Sequence, residues 1–415
     1  MRLSDEEQAM RAGAFGPLRQ WAIEHQIKVG RYLGAEDFVP VVQAHIMADT
    51  ESLGAAGVAW LERWAALPGR ERQVRIPTIT DPRGTDFAKA ERLKQQPWML
   101  DLERRAIAAF EALGVLMTDT CINYQTIMPP VRGEHCAYGD TGVVIYSNSV
   151  CGARSNFEGG PSALSAGLTG RTPRYGFHLD ERRRATLVVE VSSTPRDLAA
   201  WGALGGVVGR LAGDYWQVPA LIGIDCVPSS DEMKHFGAAL ASFGSVALFH
   251  MVGVTPEAMR LEDVVAAGAA LRTHDVGAEE LRAFQAQYRS NIDAVDLVVF
   301  SAPQLSLIEM RALADMLDGR HAQIPLLTVT SPQVKADADR CGLTARIEAA
   351  GGTVLSGMCF YQSYAREMAE ANGWERLATN SAKLTNILGG YGYRPVLLSM
   401  EACVAAACAG GKLVR

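Results

Sequence analysis

What the chain lacks narrows it first. Its 415 residues include eight cysteines, and no two stand in a C-x-x-C pair. Neither a zinc ribbon nor a ferredoxin-type cluster is therefore written locally. The cysteines form no even framework of the kind secreted domains use, which points to a reducing cytoplasm rather than disulfides. No apolar run approaches the ~20 residues a membrane span needs, and the start, MRLSDEEQAMRAG, lacks the basic-then-apolar pattern of a signal peptide. Positive charge is scarce as well. The net charge is −6, and the densest basic run, Arg182-Arg183-Arg184, sits beside Asp180 and Glu181, so nothing marks a nucleic-acid surface. No G-x-S-x-G elbow, Walker loop, low-complexity segment or repeat of roughly 20–50 residues occurs.

What is present is an ordinary enzyme composition, 48% apolar and 21% charged, on a chain long enough for two or three domains. Ser4-Asp5-Glu6-Glu7 is a capping box that opens the first helix. A second helix is expected over 18–33, a strand over 38–46 ending near His45, a strand over 75–82 and a long helix over 87–113. Beyond residue 185 short apolar strands alternate with helices: strands at 186–191, 221–225, 245–251, 296–300, 326–329, 353–355 and 395–398. Helices are expected between them, among them 198–212, 231–243, one starting at Thr255-Pro256, 306–317 and 334–350. That alternation predicts an α/β fold of parallel sheets covered by helices on both faces. Subdomain boundaries are placed at 1–120, 121–290 and 291–415.

The stretch from Cys121 to His178 carries the densest chemistry. Gly142-Val143-Val144-Ile145-Tyr146 reads as a short buried strand that hands over to Asn148-Ser149-Val150-Cys151-Gly152-Ala153-Arg154-Ser155-Asn156-Phe157-Glu158-Gly159-Gly160-Pro161. Glycines let backbone approach a ligand, and Arg154 offers a planar fork for a carboxylate or phosphate; a turn with an Arg154–Glu158 surface pair fits the same residues. Cys121 and Cys359 each follow an apolar segment beside polar or glycine residues, and strand ends of a parallel sheet converge on one crevice. Cys136 and Cys151 could join them, whereas Cys226, Cys341, Cys403 and Cys408 read as filler. Thr379-Asn380-Ser381-Ala382-Lys383 is a polar loop suited to an anionic group, or equally an ordinary capped helix start.

Taken together, Gln43-Ala44-His45-Ile46, Pro77–Pro82, Cys121–Tyr124, Gly133-Glu134-His135, Asn148–Pro161, Gly253–Ala258 and Thr379–Lys383 resemble the large-subunit core of aconitase X, a branch of the aconitase superfamily. The resemblance implies an aconitase-like core and a hydro-lyase removing water from a small hydroxy acid. The substrate expected from the wording of the central stretch is cis-3-hydroxy-L-proline, giving Δ1-pyrroline-2-carboxylate; mevalonate 5-phosphate is the alternative, with Arg171, Arg174 and Lys234 as candidate phosphate partners. It also implies an iron–sulfur cluster, expected as [2Fe–2S], on Cys121, Cys359 and Cys136. Catalytic roles would fall to His45, Glu134, His135 and Lys383, and substrate contacts to Ser149, Arg154, Ser155, Asn156, Glu158 and Ser381. The family's swivelling small domain has no counterpart in this sequence, so a separate small subunit is the expected partner. One departure stands out. Where the family often shows Gly-Cys-Pro-His, this chain reads Ser301-Ala302-Pro303-Gln304. That leaves open a smaller cluster, one that borrows Cys136 or Cys151, or a cluster-free paralogue acting as a binding subunit.

Overall fold

A computed structural model describes residues 1–289 and 291–413. The capping box closes as expected, with Ser4 and Glu7 bonded reciprocally at the head of the helix Asp5–Arg11, and Pro17 starts the next helix, Pro17–Tyr32. The expected strand over 38–46 is two strands, β1 (Phe38–Pro40) and β2 (Ala44–Ile46). β3 (Thr78–Thr80) and β4 (Ala137–Tyr138) flank β2 in the order β3-β2-β4, all parallel. This sheet crosses the expected boundary at 120/121. β5 (Arg171–Pro173) returns antiparallel onto β1.

A second parallel sheet, ordered β8-β7-β6-β9, uses β6 (Leu187–Val191), β7 (Pro219–Ile222), β8 (His250–Met251) and β9 (Arg272–Val276). A third, ordered β12-β11-β10-β13-β14, uses β10 (Leu297–Leu305), β11 (Leu326–Thr330), β12 (Thr353–Ser356), β13 (Arg376–Thr379) and β14 (Arg394–Leu397). Helices such as Leu198–Ala212 and Ser230–Gly244 bury their apolar faces on these sheets. The fold is α/β, as the alternation of elements requires.

Several elements differ from expectation. The helix over 87–113 begins only at Pro97, because Pro suits a first turn and interrupts an interior one. The helix over 334–350 splits into Pro332–Arg340 and Leu343–Ala349 at Gly342, whose φ of 70° is outside the helical range. Thr255-Pro256 starts a turn and not a helix: Thr255 Oγ1 accepts from the Met251 N–H, and Gly253 N–H donates to the Ala258 carbonyl. The most consequential change is at 142–146. That segment is a helix, Thr141–Tyr146, capped by Asp140 and continued by one wider turn over Ser147–Cys151. All five residues from Gly142 to Tyr146 are buried, so the run shows no helical periodicity, and a short apolar run of that kind does not distinguish strand from helix.

Candidate active site

The C-terminal ends of the parallel strands deliver one group of polar side chains. β2 ends past His45, β3 hands over to Asp81, and β4 to Gly139 and Asp140. Gly139 is required at this close approach: a Cβ there would lie 2.8 Å from the Gly159 carbonyl oxygen and 3.0 Å from that of His45. From the third sheet, the tail of β10 brings Ser301–Gln304, the loop after β12 brings Cys359, and the loop after β13 brings Ser381 and Lys383. Cys121 arrives on the loop beside Thr80. Strand tips of open parallel sheets are the usual place for a ligand crevice.

Charge within this group is split. Lys383 Nζ lies 3.2 Å from Asp140 Oδ2, and both side chains are buried. Burial alone would raise the Asp140 carboxyl, but the Lys383 ammonium and the Val143 N–H outweigh it and hold Asp140 below the usual carboxylate range. Burial likewise works against the Lys383 ammonium, and Asp140 above all keeps it charged. Asp81 goes the other way: burial, reinforced by the Asp140 charge, pushes its carboxyl well up, so it carries a proton. Two carboxyls with opposed shifts in one crevice are a recognised acid–base arrangement. His45 is neutral, since burial lowers its pKa. Its Nε2 donates to the Thr120 carbonyl at 2.8 Å and stands 3.7 Å from Asp81 Oδ1, which leaves Nδ1 as a bare acceptor. The thiols of Cys121 and Cys359 are raised by burial, Cys359 to about 12.

Some of the buried polar atoms without a partner lie on these same segments: His45 Nδ1, Asp81 Oδ1, both amide atoms of Asn123, and Asn380 Nδ2. Such orphans are rare in folded proteins and mark where a ligand or water would bond.

The structure thus brings together His45, Cys121, Cys359, Ser381 and Lys383 of the residues expected from sequence. It does not bring the others. His135 pairs in register with Arg154, and Tyr138 with Phe157, so 135–138 and 154–157 run parallel. Glu134, His135 and Arg154 therefore lie at the beginning of that ribbon, and Asp140 at its end. At about 3.3 Å per residue, the five steps from His135 to Asp140 span roughly 16 Å. At that far end Arg154 forms an ion pair with Asp180 and bonds the His178 carbonyl, His135 Nδ1 meets His178 Nδ1 at 2.9 Å, and Glu134 accepts from Val131 N–H. Cys136 lies on the same segment and is pushed up to about 12 by burial, with the Glu134 charge adding to the rise. Ser149, Ser155 and Asn156 hold loops: they accept from Phe249 N–H, Tyr138 N–H and Phe177 N–H respectively. Glu158 is buried, accepts from the Thr172 hydroxyl at 2.7 Å, and is raised to about 7 by burial.

Sequence reasoning missed Asp81 and Asp140 as site residues. Asp81 stood in view within Pro77–Pro82; Asp140 was hidden by the strand assigned after it.

Whether the crevice suits an iron–sulfur cluster depends on its donors. Clusters are held by about four protein ligands, mostly thiolates. Cys121 and Cys359 supply two, Ala302 supplies none, and Gln304 has spent its amide on neighbouring backbone. Among the described residues no three His, Cys, Asp or Glu side chains converge to hold a metal ion. The residues present do not fit the cluster.

The chain is similar to known proteins over nearly its whole length. Family models described as the first, second and third domains of aconitase X match residues 1–181, 185–286 and 295–409. The phosphomevalonate dehydratase large subunit of Methanothermobacter thermautotrophicus is 35% identical over 389 residues, covering 94% of each chain. The cis-3-hydroxy-L-proline dehydratase of Pseudomonas aeruginosa is 32% identical over 418 residues, covering 99% of this chain and 70% of that protein. The crystal structure of Thermococcus kodakaraensis aconitase X in its holo-form superposes with a TM-score of 0.87 at 30% identity, covering 98% of this chain and all of that one.

Proposed function

This chain belongs to the aconitase X family, and we propose that it is the large subunit of a dehydratase that removes water from a small hydroxy acid at the Asp81–Asp140–Lys383 crevice. The observation that carries this is the convergence of a protonated carboxyl, an ammonium–carboxylate pair and a neutral imidazole at the strand tips. Its relatives are dehydratases, and one group of them is described as large subunits. A separate small subunit is therefore the partner we infer.

Removal of water from a β-hydroxy acid needs a base at the α-carbon, an acid at the leaving hydroxyl and a counter-charge for the carboxylate. Lys383 supplies the counter-charge. His45 Nδ1 is the available lone pair and takes the α-proton; the electron pair forms the double bond and expels the β-hydroxyl. Asp81 gives that hydroxyl its proton, so water leaves. The His45 imidazolium returns a proton to Asp81 across the 3.7 Å gap between Nε2 and Oδ1, and exchange of the remaining proton from Nδ1 to Nε2 through the released water frees Nδ1 for the next turnover.

For substrate we favour cis-3-hydroxy-L-proline, because a phosphate would need further cations and the three candidates are already committed elsewhere. Arg171 pairs with Glu6 and Glu7, Arg174 with Asp37, and Lys234 with Glu309 and Asp231. Mevalonate 5-phosphate is the second reading, favoured by the 35% identity to a phosphomevalonate dehydratase large subunit. The test is a side-by-side assay of both compounds with the full chain and its small subunit. Turnover of phosphomevalonate alone would reverse the preference; turnover of neither would remove the dehydratase assignment.

A further inference from the structure

The 301–304 segment links the two thiol loops. β10 pairs with β11 in register up to Phe300 and regains it only at Leu305, opposite Thr330. The four residues between bulge out of the ladder and lie between the loops that carry Cys121 and Cys359. At one end Ser301 Oγ accepts from Phe360 N–H and stands 4.0 Å from Cys359 Sγ. At the other, Gln304 N–H donates to Cys121 Sγ at 3.4 Å.

Gln304 is fully buried, and its amide is saturated. Oε1 accepts from Cys121 N–H at 3.3 Å; Nε2 donates to the carbonyls of Asp119 at 3.1 Å, Met358 at 3.2 Å and Thr330 at 3.3 Å. One side chain thus ties the 119–121 loop, the 358–359 loop and the tip of β11 to β10. Between the ends, Ala302 is held in the left-handed region at φ 53°, with its carbonyl accepting from Ser381 Oγ at 2.5 Å. A residue with a Cβ is costly in that conformation, and such residues gather at functional sites. Ala302 is buried, and its methyl belongs to the apolar cluster that also contains Met358, Cys359 and Phe360, while Ser301 and Gln304 on either side of the Ala302-Pro303 pair lie against the thiols.

We infer that this chain carries no iron–sulfur cluster: position 302 is the vacated third-ligand position, and the Gln304 amide performs the cross-linking of the thiol loops that a metal centre would otherwise provide. A metal bound by thiolates from separate loops is a structural tie as well as a reagent. An amide bonded to both loops supplies the tie alone. The inference rests on the proposed function only in taking the crevice as the active site, and iron content reports on it whether or not turnover is found.

The experiment uses the full chain, purified anaerobically and incubated with ferrous iron and sulfide, then analysed for bound iron, acid-labile sulfide and visible absorbance. The unaltered chain is expected to bind neither in stoichiometric amount. A302C is expected to gain iron, sulfide and colour, and to lose all three when C121S or C359S is added. Because Gln304 could crowd an incoming cluster, A302C/Q304H is the second variant. Stoichiometric iron and sulfide in the unaltered chain, abolished by C121S or C359S, overturns the inference while leaving the dehydratase reading intact. Failure of both folded variants to load overturns position 302 as the vacated ligand. The amide's role has its own readout in hydrogen exchange. Q304A is expected to speed exchange in both the 119–121 and 358–360 loops by roughly tenfold or more. Faster exchange in one loop only, or in neither, removes Gln304 as their tie.

Discussion

Replacing Glu158 by Gln separates two views of the central stretch, one in which Glu158 touches substrate and one in which it is a buried structural acid. The carboxyl is enclosed, accepts a hydrogen bond from the Thr172 hydroxyl, and is raised by burial from its ordinary 4.5 to about 7. A group whose folded pKa exceeds its unfolded one contributes fully below the unfolded value and loses that contribution as pH rises through the folded one. Between about pH 4.5 and 7 the ionised carboxylate therefore becomes a liability, worth about 3 kcal/mol at ~1.36 kcal/mol per pH unit. Gln keeps the acceptor for Thr172 and cannot ionise. E158Q is accordingly expected to match the parent in urea unfolding at pH 4 and to exceed it by about 3 kcal/mol at pH 8. Activity should be preserved within a factor of about two, as for a residue remote from the reacting atoms. An unchanged stability difference between pH 4 and pH 8 would refute the burial argument. Loss of turnover with no gain in stability would return Glu158 to the substrate.

Other residues give sharper outcomes. D140N retains the acceptor that caps the helix at Val143 but leaves Lys383 charged, buried and unpaired; it should lose about 3–5 kcal/mol in urea unfolding, and a loss below about 1 kcal/mol would show that the pair is solvated. D81N keeps an acceptor for Gln362 and removes the proton donor. Since the Asp81 pKa is raised on folding, the parent's stability falls as pH rises past the usual carboxylate range; D81N should flatten that fall and abolish turnover, and an active D81N would dismiss Asp81 as the acid. C136A, altering a thiol on the far ribbon, should leave kcat/KM within about twofold, and a larger drop would place that ribbon in the crevice. R174A, whose guanidinium is held by Asp37 at the periphery, should not change KM for either candidate substrate; a rise specific to phosphomevalonate would revive the phosphate reading.

How much of this was written in the sequence depends on whether a residue's meaning is local. Cys121, Cys359 and Lys383 each follow an apolar strand-like segment, and parallel strands deliver their tips to one side, so linear order sufficed to gather them. Arg154 has the same kind of surroundings, yet it precedes its strand-like stretch. Only the pairing of His135 with Arg154 and of Tyr138 with Phe157 reveals that it lies at the opposite end. Asp140 failed for a different reason. Asp-Thr-Gly before a run of Val, Val and Ile suits either a turn into a strand or a cap into a helix, and the uniformly buried run removes the periodicity that would decide.

The same geometry explains why the gap left by Ala302 does not disorder the crevice. The two thiol loops are joined at their base by Arg83, which pairs with Asp119 and exchanges backbone hydrogen bonds with Gly357 and Cys359; Gln304 adds a second link, beside the thiols themselves. Gln304 contributes one acceptor and two N–H donors, and the loops offer one N–H and several carbonyls within reach, so amide and backbone satisfy each other. Histidine in its place would present one ring donor and one acceptor, too few to bind three carbonyls and an N–H together. An alanine at 302 with a glutamine at 304 is therefore a coupled pair. The first removes a ligand and the second supplies the cross-link, so Q304H without A302C should leave the loops untied.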